Sequence, residues 1–170
     1  WPVRVRRGGE VLAPGDGTSA VQVIDGRDLT AFEVLCMERR TGGTFDVTGP
    51  NPATPLTMLG MLETCRKVGG AEASFVWADL AFLEENGVGA WRDMPCWLPG
   101  EGETAGFGKR SLARAVAAGL THRPLADTVR DTLSWYDALP DDRREAVTKR
   151  AGLTAEREAE VLKAWHAKHG

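Results

Sequence analysis

Apolar and polar positions along this chain keep changing period, and each change marks an element. Residues 21–24 form a short apolar run that reads as a strand. Asp28 then reads as a helix N-cap, because Leu29, Phe32, Leu35 and Cys36 follow at helical spacing until Gly42-Gly43 stops them. Residues 44–47 read as a second short strand. Thr57 caps a helix whose apolar side is Met58, Leu59, Met61, Leu62 and Cys65, ended by Gly69-Gly70. Residues 74–77 predict another strand, and Asp79 opens a short helix that closes near Asn86-Gly87.

The periodicity then fails. Residues 87–108 mix glycine and proline with Trp91, Trp97 and Phe107, and aromatic rings in such a loop need something to bury against. Helical spacing returns at residues 111–118. It is strongest at residues 124–139, where proline occupies the first turn and Leu125, Val129, Leu133 and Tyr136 line one face. At the other end, residues 1–17 show short apolar alternation leading into the turn composition Ala13-Pro14-Gly15-Asp16-Gly17. After Pro140 the run Asp141-Asp142-Arg143-Arg144-Glu145 reads as a charged linker. A last helix starts at Thr154 and carries Val161, Leu162 and Trp165, with Lys163, His166, Lys168 and His169 toward its C-terminus. The expected organisation is one α/β unit over residues 1–139, then a linker and terminal helix over residues 140–170.

Composition narrows the function classes. At 170 residues, 42% hydrophobic and 26% charged, the chain is long enough and apolar enough for one domain with a core. A net charge of −3 argues against nucleic acid, and the basic cluster Arg4, Arg6 and Arg7 has no interleaved aromatic residues for bases to stack on. Cys36, Cys65 and Cys96 are odd in number and widely spaced, which suits reduced thiols in a cytoplasmic setting. Cys36 and Cys65 sit in helical apolar patterns as small core residues, while Cys96 lies in a loop. No apolar stretch reaches the ~18–20 residues of a membrane span. His122, His166 and His169 share no metal-ligand spacing with any Cys, Asp or Glu and read as surface histidines. Glu84 and Glu85 are adjacent rather than facing, so they make no paired-carboxylate site. Lys109 and Arg110 precede a predicted helix and read as a solvated pair.

The chain opens at Trp1, and Met37, Met58, Met61 and Met94 all lie in segments that read as internal. Bacterial processing does not normally remove an initiator Met before a residue as large as Trp. The expectation is therefore a part of a longer polypeptide.

Four pieces in order carry a resemblance. Val21-Gln22-Val23-Ile24-Asp25 before Arg27-Asp28-Leu29 resembles the strand and helix start that follow the active-site half of extended short-chain dehydrogenases/reductases, the NAD-dependent epimerase/dehydratase family. Thr44-Phe45-Asp46-Val47-Thr48-Gly49 is similar to that family's next strand, and Thr57-Met58 to the start of its next helix. The closing helix of the family resembles Gly119-Leu120-Thr121-His122-Arg123-Pro124-Leu125 with Thr128, Thr132 and Trp135. The resemblance spans residues 1 to about 136. It implies the late strands of a Rossmann-like parallel sheet plus a mainly helical C-terminal lobe that covers a substrate pocket.

That family holds NAD or NADP on a Gly-rich turn between its first strand and helix, and moves protons with a Tyr and a Lys four residues apart. Gly15-x-Gly17 and Gly100-x-Gly102 lack the flanking strand and helix, and the sole tyrosine, Tyr136, is followed four residues on by Pro140. No catalytic or cofactor-binding residue is therefore expected in this chain. By the resemblance the redox machinery lies in a missing N-terminal half or a partner chain.

The implied role is substrate binding for an oxidoreductase or epimerase acting on a small, hydrophobic carbonyl or alcohol. Asp25 and Arg27 are the candidates for polar contacts, and Trp91, Trp97 and Phe107 for an apolar lid. Gly26 departs from the family, which usually carries a larger residue there, and this loosens the pocket floor. Two alternatives stay open: a standalone binding or accessory protein, and a non-redox cyclase or isomerase that reuses the pocket. An unpaired edge beside residues 21–24 would favour a homo-oligomer or association with the absent half.

Overall fold

Short polar side chains set where most of the longer helices begin. In the computed structural model, which describes residues 1–50 and 54–170, Thr57 accepts a hydrogen bond from the Gly60 N–H (3.1 Å), Asp79 from Phe82 (2.8 Å) and Thr154 from Arg157 (3.2 Å). The elements run α1 (Pro2–Arg6), β1 (Gly9–Pro14), α2 (Gly26–Glu38), α3 (Met58–Gly69), β2 (Ala73–Ala78), α4 (Leu80–Glu85), α5 (Ala113–Ala118), α6 (Leu125–Asp137), α7 (Asp141–Arg150) and α8 (Ala155–His169). Two single turns of tighter helix, Gly102–Thr104 and Phe107–Lys109, interrupt the long loop. Gly70, in the left-handed conformation at φ 63°, ends α3 as the Gly69-Gly70 pair predicts.

The architecture is mixed α/β. β1 and β2 pair in parallel, in register from Gly9 opposite Ala73 to Pro14 opposite Ala78. Parallel neighbours need a long crossover, which here contains α2 and α3. α3 packs against α1 and α6, burying Met58, Met61, Leu62 and Cys65 against Val5, Val129 and Leu133. Leu59, expected on the buried side of α3, is 42% exposed. Across the sheet Val11, Leu12, Leu83 and Val161 join the same core. A second, smaller cluster holds Phe32 of α2, Ala115 of α5 and Leu120, with Phe45 edge-on to Phe32 at 5.5 Å.

Several expectations change on meeting the structure. Residues 21–24 and 44–47 join no ladder. Ala20 makes one antiparallel bridge with Thr57, and the Val21 N–H goes to the Leu56 carbonyl (2.9 Å). β-Propensity becomes a strand only where a neighbour supplies repeated backbone partners, and these segments pack through Val21, Phe45 and Val47 instead. β1 also extends into the expected turn, taking in Ala13 and Pro14. The cap of α2 is Asp25, three residues before Asp28. The charged stretch after Pro140 is α7 rather than a linker. Asp141 and Asp142 lie in its first turn and Lys149 and Arg150 in its last, and Asp141–Arg144 and Glu145–Lys149 pair along it, so dipole and side-chain charge favour a helix that buries no residue. Among the described residues no helix is long and apolar enough to cross a membrane.

The outer edge of β1 is closed by an ion pair. Arg4 of α1 donates to the carbonyls of Gly8 and Glu10 and to the Glu158 carboxylate, and Glu158 of α8 accepts the Leu12 N–H (3.1 Å). Glu158 is 5% exposed, so removing one partner leaves a charge buried and a strand N–H unpaired. Glu158→Leu should therefore lose about 3 kcal/mol in urea unfolding and form soluble aggregates on size exclusion. The double variant Arg4→Leu/Glu158→Leu should recover part of that loss, because neither charge is then stranded.

Candidate functional site

Asp25 ends a stretch without regular structure and begins α2, and its carboxylate is the centre of a charged cluster. It accepts from the Arg27 N–H (2.9 Å), from the Arg27 guanidinium at Nε (2.9 Å) and Nη2 (2.7 Å), and from the Thr128 hydroxyl of α6 (2.8 Å). Arg27 also reaches Asp131 (2.6 Å). One turn into α2, Asp28 takes the Arg123 N–H (2.9 Å) and its Nε (2.8 Å). Arg123 lies 3.7 Å from Asp25 as well. A cavity of about 470 Å³ opens beside this cluster, with Val23, Ile24 and His122 in its wall. His122 donates from Nε2 to the Thr48 carbonyl (2.8 Å).

The electrostatics follow from these contacts. The Arg27 side chain holds the Asp25 carboxyl well below the usual carboxylate range, against the opposing effect of burial, with help from the Arg27 N–H, Thr128 and Arg123. Burial pushes Asp28 up, but the Arg123 side chain, N–H and charge together leave it lowered. Both carboxylates are thus ionised and fully engaged, which suits neither a general acid nor a base. Three carboxylates (Asp25, Asp28 and Asp131) face two guanidiniums, so the cluster offers no excess positive charge to an anion. What it does is pin the first turn of α2 to α6 and to the turn before it.

The aromatic candidates lie elsewhere. Trp91 and Phe107 meet edge to face at 5.2 Å and are 51% and 47% exposed. Trp97 is 3% exposed. Its indole N–H donates to Ser19 Oγ (3.2 Å), and its carbonyl accepts from the Trp91 N–H (3.0 Å). Phe107, Cys96 and Leu98 line a cavity of about 340 Å³ whose opposite wall is Thr18, Ser19 and Gln22. Trp91 and Cys96 both adopt the left-handed backbone region, at φ 63° and 64°, which side-chain-bearing residues seldom occupy without a surrounding constraint. Burial pushes the Cys96 thiol up, so it is a poor nucleophile.

The structure therefore divides the five sequence candidates into two groups. Asp25 ends the 18–25 segment and Arg27 lies in the first turn of α2, both bonded to α6, whereas the aromatic loop packs on the segment's start. Among the described residues no hydrogen bond, ring contact or common cavity joins the two groups. Arg123 and Thr128, which complete the charged cluster, were not singled out from sequence as site residues. The signal available was Arg123 beside Pro124 at a helix start, but nothing in the chain's order tells that it meets a residue 95 positions earlier. His122, read as a surface histidine, is half-buried in a cavity wall. Arg110 approaches Asp46 to 4.0 Å, while Lys109 is exposed.

A dinucleotide does not fit these residues. Gly15-Asp16-Gly17 does follow a strand, β1, contrary to the sequence reading, but no helix begins there. Asp16 places a carboxylate in the turn, bonded to the Thr18 N–H (2.9 Å) and hydroxyl (2.6 Å). A Cβ on Gly17 would lie 2.9 Å from the Trp77 ring, so the glycine serves packing rather than a pyrophosphate. No group of three His, Cys, Asp or Glu residues among the described ones could hold a metal.

Two measurements check this account. Arg123→Met leaves Asp28 buried without its partner and should cost about 3 kcal/mol at pH 7. Because Asp25 and Asp28 have lowered folded-state values, their contribution is present above the unfolded carboxylate range near ~3.9 and fades as pH falls through the folded values. The gap between Arg123→Met and the parent chain, read by urea unfolding, should therefore narrow below about pH 4. Burial also pushes the Cys65 thiol up to about 11, so a disulfide reagent at pH 8 should modify Cys65 only when the chain is unfolded.

Compared with models of protein families, with curated proteins and with solved structures, the chain matches none.

Proposed function

We propose that this chain is the substrate-binding portion of an oxidoreductase or epimerase similar to the extended short-chain dehydrogenases/reductases, acting on a small hydrophobic carbonyl or alcohol. The observation that carries the reading is the half-exposed Trp91–Phe107 pair beside the cavity lined by Phe107, Leu98 and the 18–22 segment. Exposed aromatic pairs of this kind, held on a constrained loop beside a recess of mixed polar and apolar lining, offer a small ligand an apolar face together with polar groups at Thr18, Ser19 and Gln22. The order of the four sequence pieces supports the same reading. So does the mixed α/β architecture with parallel strands, although residues 21–24 would complete a Rossmann-like sheet only beside further strands.

In this reading Trp91 and Phe107 contact the substrate, and Trp97 holds their loop through its hydrogen bond to Ser19. Asp25 and Arg27 fix the start of α2 and so the end of the segment that forms the pocket wall. The residues present do not fit NAD or NADP. The hydride chemistry belongs to a cofactor held by another part of a longer polypeptide or by a partner chain.

Binding of a panel of short-chain and aromatic ketones and alcohols tests the reading, followed by tryptophan fluorescence. At least one should saturate, and Phe107→Ala should raise its Kd about tenfold, equivalent to ~1.4 kcal/mol, with an unchanged circular dichroism spectrum. NADH alone should show no saturable binding. A panel with no saturating member, or a Kd indifferent to Phe107→Ala, would overturn the substrate assignment. Saturable NADH binding would overturn the division of labour.

A further inference from the structure

A separate cavity of about 250 Å³ lies where α1, α6 and the segment from α7 to α8 come together. Its walls are mostly apolar, with Trp1, Val3, Pro95, Trp135 and Leu153 prominent among them. The polar groups of the lining are almost all engaged. The Trp1 indole N–H donates to the Pro95 carbonyl, the Tyr136 and Thr148 hydroxyls meet at 3.0 Å, and Thr132 donates to the Thr128 carbonyl at 2.7 Å. Asp93 is paired with Arg92 and takes the Gly89 N–H, while Arg4 and Glu158 are committed to each other and to β1.

Arg7 stands apart. It is exposed, lines the cavity, and its nearest carboxylate among the described residues is Glu158 at 4.0 Å, already held more closely by Arg4. Glu156, in the first turn of α8, lies in its field but outside the cavity and makes no ion pair with it. The cavity thus joins apolar walls to one guanidinium that, among the described residues, makes only this long ion pair with Glu158 and no side-chain hydrogen bond. A dry cavity of ~150 Å³ already accepts a benzene ring, whereas drug-sized ligands need ~300–1,000 Å³. A single ring or short chain bearing an acid group matches both the volume and the charge.

We propose that this cavity is a binding site for small hydrophobic carboxylates, with the ring or chain against Trp135 and Leu153 and the carboxylate on Arg7. Arg is suited to this role because its planar fork can meet both carboxylate oxygens. The site is distinct from the aromatic-loop pocket and does not depend on the function proposed for it.

The test titrates the full 170-residue chain with 3-phenylpropionate and with the neutral 3-phenylpropionamide by calorimetry. The carboxylate should bind at least tenfold tighter than the amide. Arg7→Gln should level the two, and Leu153→Trp, which fills the cavity, should abolish binding of both while thermal unfolding shows a retained fold. Phe107→Ala should leave carboxylate binding unchanged. The proposal is overturned if the carboxylate fails to saturate, if the amide binds equally well to the parent chain, or if Leu153→Trp leaves binding intact. Loss of carboxylate binding in Phe107→Ala would also overturn it, by placing the ligand in the other pocket.

Discussion

A parallel pair of strands leaves two outer edges, and the way this chain closes one of them organises the rest. Arg4 and Glu158 supply from side chains the acceptors and donors that another strand would supply from its backbone. A charged pair buried against a strand is a costly device compared with apolar packing, but it also ends the sheet, since no further strand can approach that edge without displacing it. The same pair ties α8 to the first elements of the chain. Phe82 of α4, buried in the core, packs edge-on against Trp165 of α8, on which His169 stacks, and His166 and Lys168 reach Glu10 and Glu85. The C-terminal helix is thus a structural wall of the sheet.

On the far side of the core, order comes from a different source. The 18–25 segment has little regular hydrogen bonding, yet it is held at both ends, by Trp97 on Ser19 and by Arg27, Arg123 and Thr128 around Asp25. Between them Gly49 comes so close to the Val23 carbonyl that an added Cβ would sit 2.1 Å from its oxygen. Only glycine allows the two loops this approach. Both recesses that flank the segment therefore share a wall made of loop, held in place by side chains.

Sequence order made the local features legible and left the long-range ones hidden. The caps at Thr57, Asp79 and Thr154, the Gly70 stop, the β2 strand and the apolar faces of α3 and α6 all rest on neighbours within a few residues. The failures have one root. Residues 21–24 and 44–47 have the composition of strands, but strand formation depends on partners that composition does not name. The run of residues 141–145 reads as a linker from its charged composition, whereas the order of charge along residues 141–150, acidic first and basic last, is the informative signal. At the site, aromatic residues in a glycine-rich loop were a fair guide to an exposed ring pair, but which ring would be buried depended on Ser19, far away in sequence. Asp25 and Arg27 were found as a local pair. Their coupling to Arg123 and Thr128 required the fold.

Closing β1 from α8 also has a consequence for synthesis on the ribosome. The Leu12 N–H waits for a carboxylate 146 residues downstream. At translation speeds of ~5–20 residues per second, that strand edge stays open for roughly 7–30 s after it is made. During that interval the nascent chain presents an unpaired, apolar strand to every other chain nearby. The segment that closes this edge lies 146 residues further on, so the exposure lasts at least as long as those residues take to make.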